Sequence, residues 1–172
     1  MDEFSKKLDQ IEKAIESELY HPALALALTI PDVCGKIRYG YKEAKNDQER
    51  YTKWYNEYVL AHSVSKWRGD PSEIRNPEFN GRDLWNLRCE YLHAGKANVL
   101  YFENVPYGYK FELNIGNIGL IVYSGNNDCG MYSSTIKVYD LCYEIVYGAR
   151  RFYKEVEKKE VFEDRNIVYK AF

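Results

Sequence analysis

Phe4, Leu8, Ile11, Ile15 and Leu19 recur at steps of three and four. That spacing marks one face of a helix, with Asp9 and Lys13 as an i,i+4 pair on its polar side. From about Ala23 to Lys36 the chain is apolar all round until Asp32, the only acid between Pro22 and Gly35. Such a run predicts a buried central helix, entered through Pro22 and kinked at Pro31. Tyr51, Trp54, Tyr55, Tyr58, Val59 and His62 predict a third helix over about Asp47 to Ser63, its aromatic stripe serving as packing. Ser65 to Gly81 is poor in apolar residues and carries Gly69, Pro71 and Pro77, which reads as a long surface loop. Asn80 is suited to cap a fourth helix, and Gly95 to end it in a left-handed conformation.

The period then shortens to two. Tyr109, Phe111, Leu113 and Ile115 alternate with Lys110, Glu112 and Asn114. Gly116-Asn117 reads as a turn into a second strand over Ile118 to Tyr123, which makes an antiparallel hairpin. Asn98 to Phe102 is a candidate third strand, and Gly125 to Gly130 a loop. Helical spacing returns in Val138, Leu141, Cys142, Ile145, Ala149, Phe152, Tyr153 and Val156. Val161 to Phe172 follows no single period. The pattern predicts a mainly α fold: a bundle of about five helices, with a small hairpin inserted at about 98–124 before the last long helix. Neither half carries a complete apolar set, so residues 1–172 read as a single domain.

Composition narrows the function classes. The net charge is −2, so no overall basic field exists to hold long nucleic acid. The 17 tyrosines serve either as core filler or as base-stacking surfaces, and composition does not choose between these. Met1 to Lys7 has no apolar signal-peptide core, and no window is long enough to span a membrane. Cys34, Cys89, Cys129 and Cys142 show no ligand spacing among themselves or with His21, His62 and His93. The expectation is a cytoplasmic protein with reduced thiols, no metal and no cofactor. The basic cluster Arg150, Arg151, Lys154, Lys158 and Lys159 reads as a solvated helix face rather than an RNA track.

The fourth helix carries the chemistry. At 100° per residue, Trp85, Leu87, Tyr91 and Leu92 fall within about 100° of Leu84, and Arg88 lies inside that apolar arc at about 40°. A buried guanidinium must meet an anion, either a protein carboxylate or a ligand phosphate. Asp32 is the carboxylate expected to meet it. His93 falls at about 180°, on the polar side.

Arg88 and His93 form an Arg-x4-His on a late, capped helix, beside Ile30-Pro31-Asp32, Cys34-Gly35, Leu87-Arg88-Cys89 and Leu92-His93. In these pieces the chain resembles the HEPN superfamily of small helical-bundle domains, and related bacterial and phage proteins. The resemblance covers residues 1–95 and the last helix, and leaves out the hairpin. It implies metal-independent RNA cleavage of a toxin or phage-defence type. His93 would move the proton near the 2′-hydroxyl, and Arg88 would hold the scissile phosphate. Asp32, Asn86 and Glu90 would support them. The groups point about 140° apart on one helix, so the resemblance further implies a homodimer that brings two such helices together. Its expected partners are RNA and an antitoxin or host protein, and no membrane. Many active members carry Asn, Asp or His directly after the Arg, where this chain has Cys89. Two readings therefore stand: an endoribonuclease, or a non-catalytic module in which Arg88 is a structural cation. A third is an accessory protein that binds a host factor through the hairpin.

Overall fold

The computed structural model describes residues 2–40, 43–62, 79–95, 98–101, 109–114, 124–126, 131–157 and 159–162. Helix α1 (Glu3–Glu16) starts at Asp2, whose side chain accepts from the Ser5 amide, and buries Phe4, Leu8, Ile11 and Ile15. It stops a turn before Leu19, which is exposed.

The apolar run after it is two helices, α2 (Tyr20–Ala27) and α3 (Ile30–Tyr39), not one kinked helix. The break falls at Leu28-Thr29, where the Thr29 hydroxyl donates to the Leu26 carbonyl at 2.7 Å. Pro31 then sits in the first turn of α3, where a missing amide proton costs nothing. Helix α4 (Asp47–Tyr58) is capped by Asn46, which accepts from the Glu49 amide, and runs into a short 3-10 turn, Leu60–His62. Its stripe of Tyr51, Trp54, Tyr55 and Tyr58 is buried packing.

Helix α5 (Gly81–Ala94) has the predicted ends. Asn80 and Asp83 form a reciprocal capping box, and Gly95 closes the helix at φ 64°. Burial pushes the Asp83 carboxyl up to about 6. Its Oδ2 accepts from the Asn80 amide, while Oδ1 is buried without a hydrogen-bond partner. A carboxyl held above its ordinary value of 3.8 favours the folded state most when protonated. Stability is therefore greatest below pH ~4 as far as this group goes, and falls by on the order of 3 kcal/mol as pH rises through 6. Asp83→Asn is expected to flatten that part of the curve in urea melts at stepped pH. An unchanged slope between pH 4 and 7 would refute the assignment.

Four strands follow: β1 (Asn98–Tyr101), β2 (Tyr109–Asn114), β3 (Ser124–Asn126) and β4 (Met131–Lys137). They form one sheet in the order β1-β2-β4-β3. One edge of β2 pairs antiparallel with β1 over Tyr109 to Glu112, and the other pairs parallel with β4. Residues 115–123, which were to supply the turn and the return strand, lie outside the described residues. Period-two alternation identifies a strand but does not name its partner.

β4 passes directly into α6 (Val138–Glu155). This helix, not the Ala23–Lys36 run, is the centre of the bundle: it packs against α1, α2, α3 and α4. Val138, Leu141, Cys142, Ile145, Val146, Ala149 and Phe152 are buried along it. Ile136 of β4 joins the same core, with Leu113 of β2 packed against it. Arg150 fastens α6 to α1 through Asp9 at 2.8 Å and Glu12 at 2.5 Å. Arg151 donates to the Tyr58 carbonyl at 3.0 Å. These two arginines are thus tethers rather than part of a solvated face, while Lys154 is exposed.

Candidate functional site

Arg88 leaves α5 one turn after Trp85 and reaches α3. Its Nε donates to Asp32 Oδ2 at 2.8 Å, as the lone charges on two apolar faces predict. The side chains are 23% and 18% exposed, so the pair is largely but not fully enclosed. Two rings line the guanidinium: Trp85, 4.9 Å from its centroid, and Tyr51, 6.0 Å. Such cation–π contacts strengthen when water is excluded. Tyr51 is itself fixed, because its hydroxyl donates to the Leu28 carbonyl at 3.0 Å and its ring meets Trp85 edge to face at 5.3 Å.

Asp32 lies in the first turn of α3, where the helix dipole favours an anion. Burial pushes its carboxyl up from the ordinary value, and Arg88 and Lys36 pull it back only in part. Burial draws the Arg88 guanidinium down, but Asp32 more than offsets this and holds it up. On α1, burial pushes the half-buried Lys7 ammonium down, against the opposing pull of Cys34 and Asp32.

The other sequence candidates do not converge on this pair. His93 is exposed on the last turn of α5, beside the exposed Leu92. Asn86, Cys89 and Glu90 are half-buried on the same helix. The thiols of Cys34 and Cys142 are buried, and burial raises both, Cys142 to about 12, so neither is a nucleophile at neutral pH. Cys129 lies outside the described residues. Among the described residues, no group of three or more His, Cys, Asp or Glu could hold a metal ion. No described helix is long and apolar enough to cross a membrane.

Two features escaped the sequence reading. His21 Nδ1 and the Tyr91 hydroxyl share a hydrogen bond of 2.6 Å, joining α2 to α5. Their rings stack at 6.2 Å. They are 70 positions apart, and no local period links them. The second is a groove of about 680 Å³ between the end of α4 and the outer side of α6. Tyr58, Val59 and His62 form one wall, and Tyr143, Tyr147 and Lys154 are on the other. Neither Arg88 nor His93 lines it. Comparison with protein-family models, with curated proteins and with solved structures returns no match.

Proposed function

We propose that this chain is a HEPN-like module that works through binding contacts rather than through RNA cleavage, with Arg88 as a structural cation. The observation that carries this reading is the engagement of Arg88. Its Nε is held by Asp32 at 2.8 Å, beside two aromatic rings. An arginine that grips a scissile phosphate meets the charge that grows on the phosphoryl oxygens. Here its first anion is already within the protein, and breaking that pair would leave Asp32 without it. His93 adds nothing in the same copy, because five helical positions turn it about 140° away.

The competing reading, a metal-independent endoribonuclease acting as a homodimer, is separated by one assay. Purified protein is incubated with mixed RNA in excess chelator, and products are examined for 2′,3′-cyclic phosphate ends. The expected result is no such product from the wild type or from His93→Ala. His93→Ala is also expected to change stability by no more than about 0.5 kcal/mol, since the residue is exposed. Cleavage by the wild type that disappears in a well-folded His93→Ala would overturn the module and restore the enzyme.

A further inference from the structure

The first turn of α5 is clamped onto the side of α4. The Gly81 amide donates to Asn56 Oδ1 at 2.7 Å, and the Thr52 hydroxyl donates to the Gly81 carbonyl at 3.4 Å. A Cβ at Gly81 would stand 2.9 Å from Thr52 Cα and closer still to the Thr52 carbonyl oxygen, so glycine is what lets the two backbones approach. Just ahead, the buried Phe79 ring meets Tyr55 of α4 edge to face at 6.4 Å.

The same turn holds a carboxyl out of water. Asp83 is 2% exposed. Its Oδ2 accepts from the Asn80 amide at 3.0 Å, whereas Oδ1 is buried without a hydrogen-bond partner. The Asn80 amide and the positive end of the helix dipole favour the ionised form. Burial opposes them and outweighs them. Among the described residues, the charge whose field draws the carboxyl back is Arg82, exposed on α5 itself. The charges of α4 are engaged elsewhere: Asp47 with Arg50, Glu49 with Lys53, and Glu57 with Arg38. What α4 sets against this turn is Thr52, Asn56 and the Tyr55 ring. Strand β1, which also packs on α5, carries no charged residue, and Tyr101 is its one titratable group.

A neutral Asp83 carries no charge into the protein, and burying it costs little. An ionised Asp83 leaves a bare charge on an oxygen that nothing in the turn solvates. Opening the turn lets water reach Oδ1 and removes that penalty. The opening has a natural limit, because Leu84 and Leu87 are fully buried and keep the rest of α5 docked.

We propose that the first turn of α5 is a proton-controlled hinge, which stays clamped on α4 while Asp83 is neutral and opens to water more readily once Asp83 is ionised. A global melt records only a loss of stability; the hinge assigns an opening to one turn. It is separate from Arg88 and His93 and does not rest on the HEPN-like reading.

Amide hydrogen exchange followed by NMR, corrected for the intrinsic rate at each pH, tests it. The Gly81 amide is the reporter, because its partner Asn56 is on α4. Its protection is expected to fall about tenfold between about pH 5 and 7.5, since the clamped carboxyl titrates near 6 and the opened one near its ordinary 3.8. Gly81 is also expected to exchange faster than Ile145 in the core of α6 throughout, the mark of a local opening. In Asp83→Asn the protection of Gly81 is expected to stay level with pH. A carbon-13 titration of the Asp83 carboxyl in the wild type needs no variant, and its midpoint is expected near 6. A midpoint near 3.8 would overturn the proposal. So would equal protection of Gly81 and Ile145, which would mean that the turn opens only with the whole bundle, or the same fall with pH in Asp83→Asn as in the wild type.

Discussion

Asp32→Ala lowers the unfolding free energy by about 2–4 kcal/mol, the expected cost of stranding a largely enclosed guanidinium, reduced because the pair keeps some contact with water. Arg88 cannot shed its charge by losing a proton, and it cannot swing far, because Trp85 and Tyr51 hold it. The single change therefore costs more than the pair contributes. Replacing both partners makes this visible. Asp32→Leu combined with Arg88→Met fills the site with apolar side chains and is expected to recover most of the loss, as buried pairs often do. Urea denaturation of the two single variants and the double variant forms the cycle. A double variant as unstable as the sum of the singles would show that the two residues do not act as a pair.

Gly35→Val is expected to cost about 3 kcal/mol or more, and Gly35→Ala somewhat less, through overpacking. The reason is backbone against backbone. A Cβ at Gly35 would lie 2.7 Å from the Arg50 carbonyl oxygen and 2.9 Å from its carbon, both in the main chain of α4. No rotamer relieves that contact, so α3 must move away from α4. Asp32 lies three residues earlier on α3, and its 2.8 Å bond to Arg88 would lengthen with the shift. The two substitutions should thus be coupled: in an Asp32→Ala background, Gly35→Val is expected to cost less than in the wild type. Strict additivity in the same denaturation experiment would mean that Gly35 spaces the helices without tuning the ion pair.

The ends of α5 and its central ion pair were legible because each has a local signature. Asn80 and Gly95 are residues whose side chain or backbone freedom suits a helix end, and both sit there. Arg88 and Asp32 are charges set among apolar residues, and each meets the other. What the sequence hid depends on distance along the chain. The partners of β2 are set by the whole sheet, not by the alternation of its own side chains. His21 finds Tyr91 70 residues away, and Arg150 finds Asp9 141 residues away. The break at Leu28-Thr29 was missed for another reason: a run apolar on all sides shows no face whose loss would mark where one helix stops. The mainly helical bundle could be inferred from periodicity, whereas α6 as its centre could not, because amphipathic spacing gives the width of a buried face and not the number of neighbours pressed on it.

The place of α6 in chain order has a consequence for synthesis. Helices α1 to α4 bury their apolar sides against a helix that leaves the ribosome after all of them. Until then Leu8, Leu24, Trp54 and their neighbours have no central partner to cover them. The nascent chain must hold that apolar surface through the translation of α5 and the sheet, at about 5–20 residues per second. A ribosome stalled before Val138 would present a chain that chaperones bind and proteases cut. Release of α6 would end that susceptibility in one step.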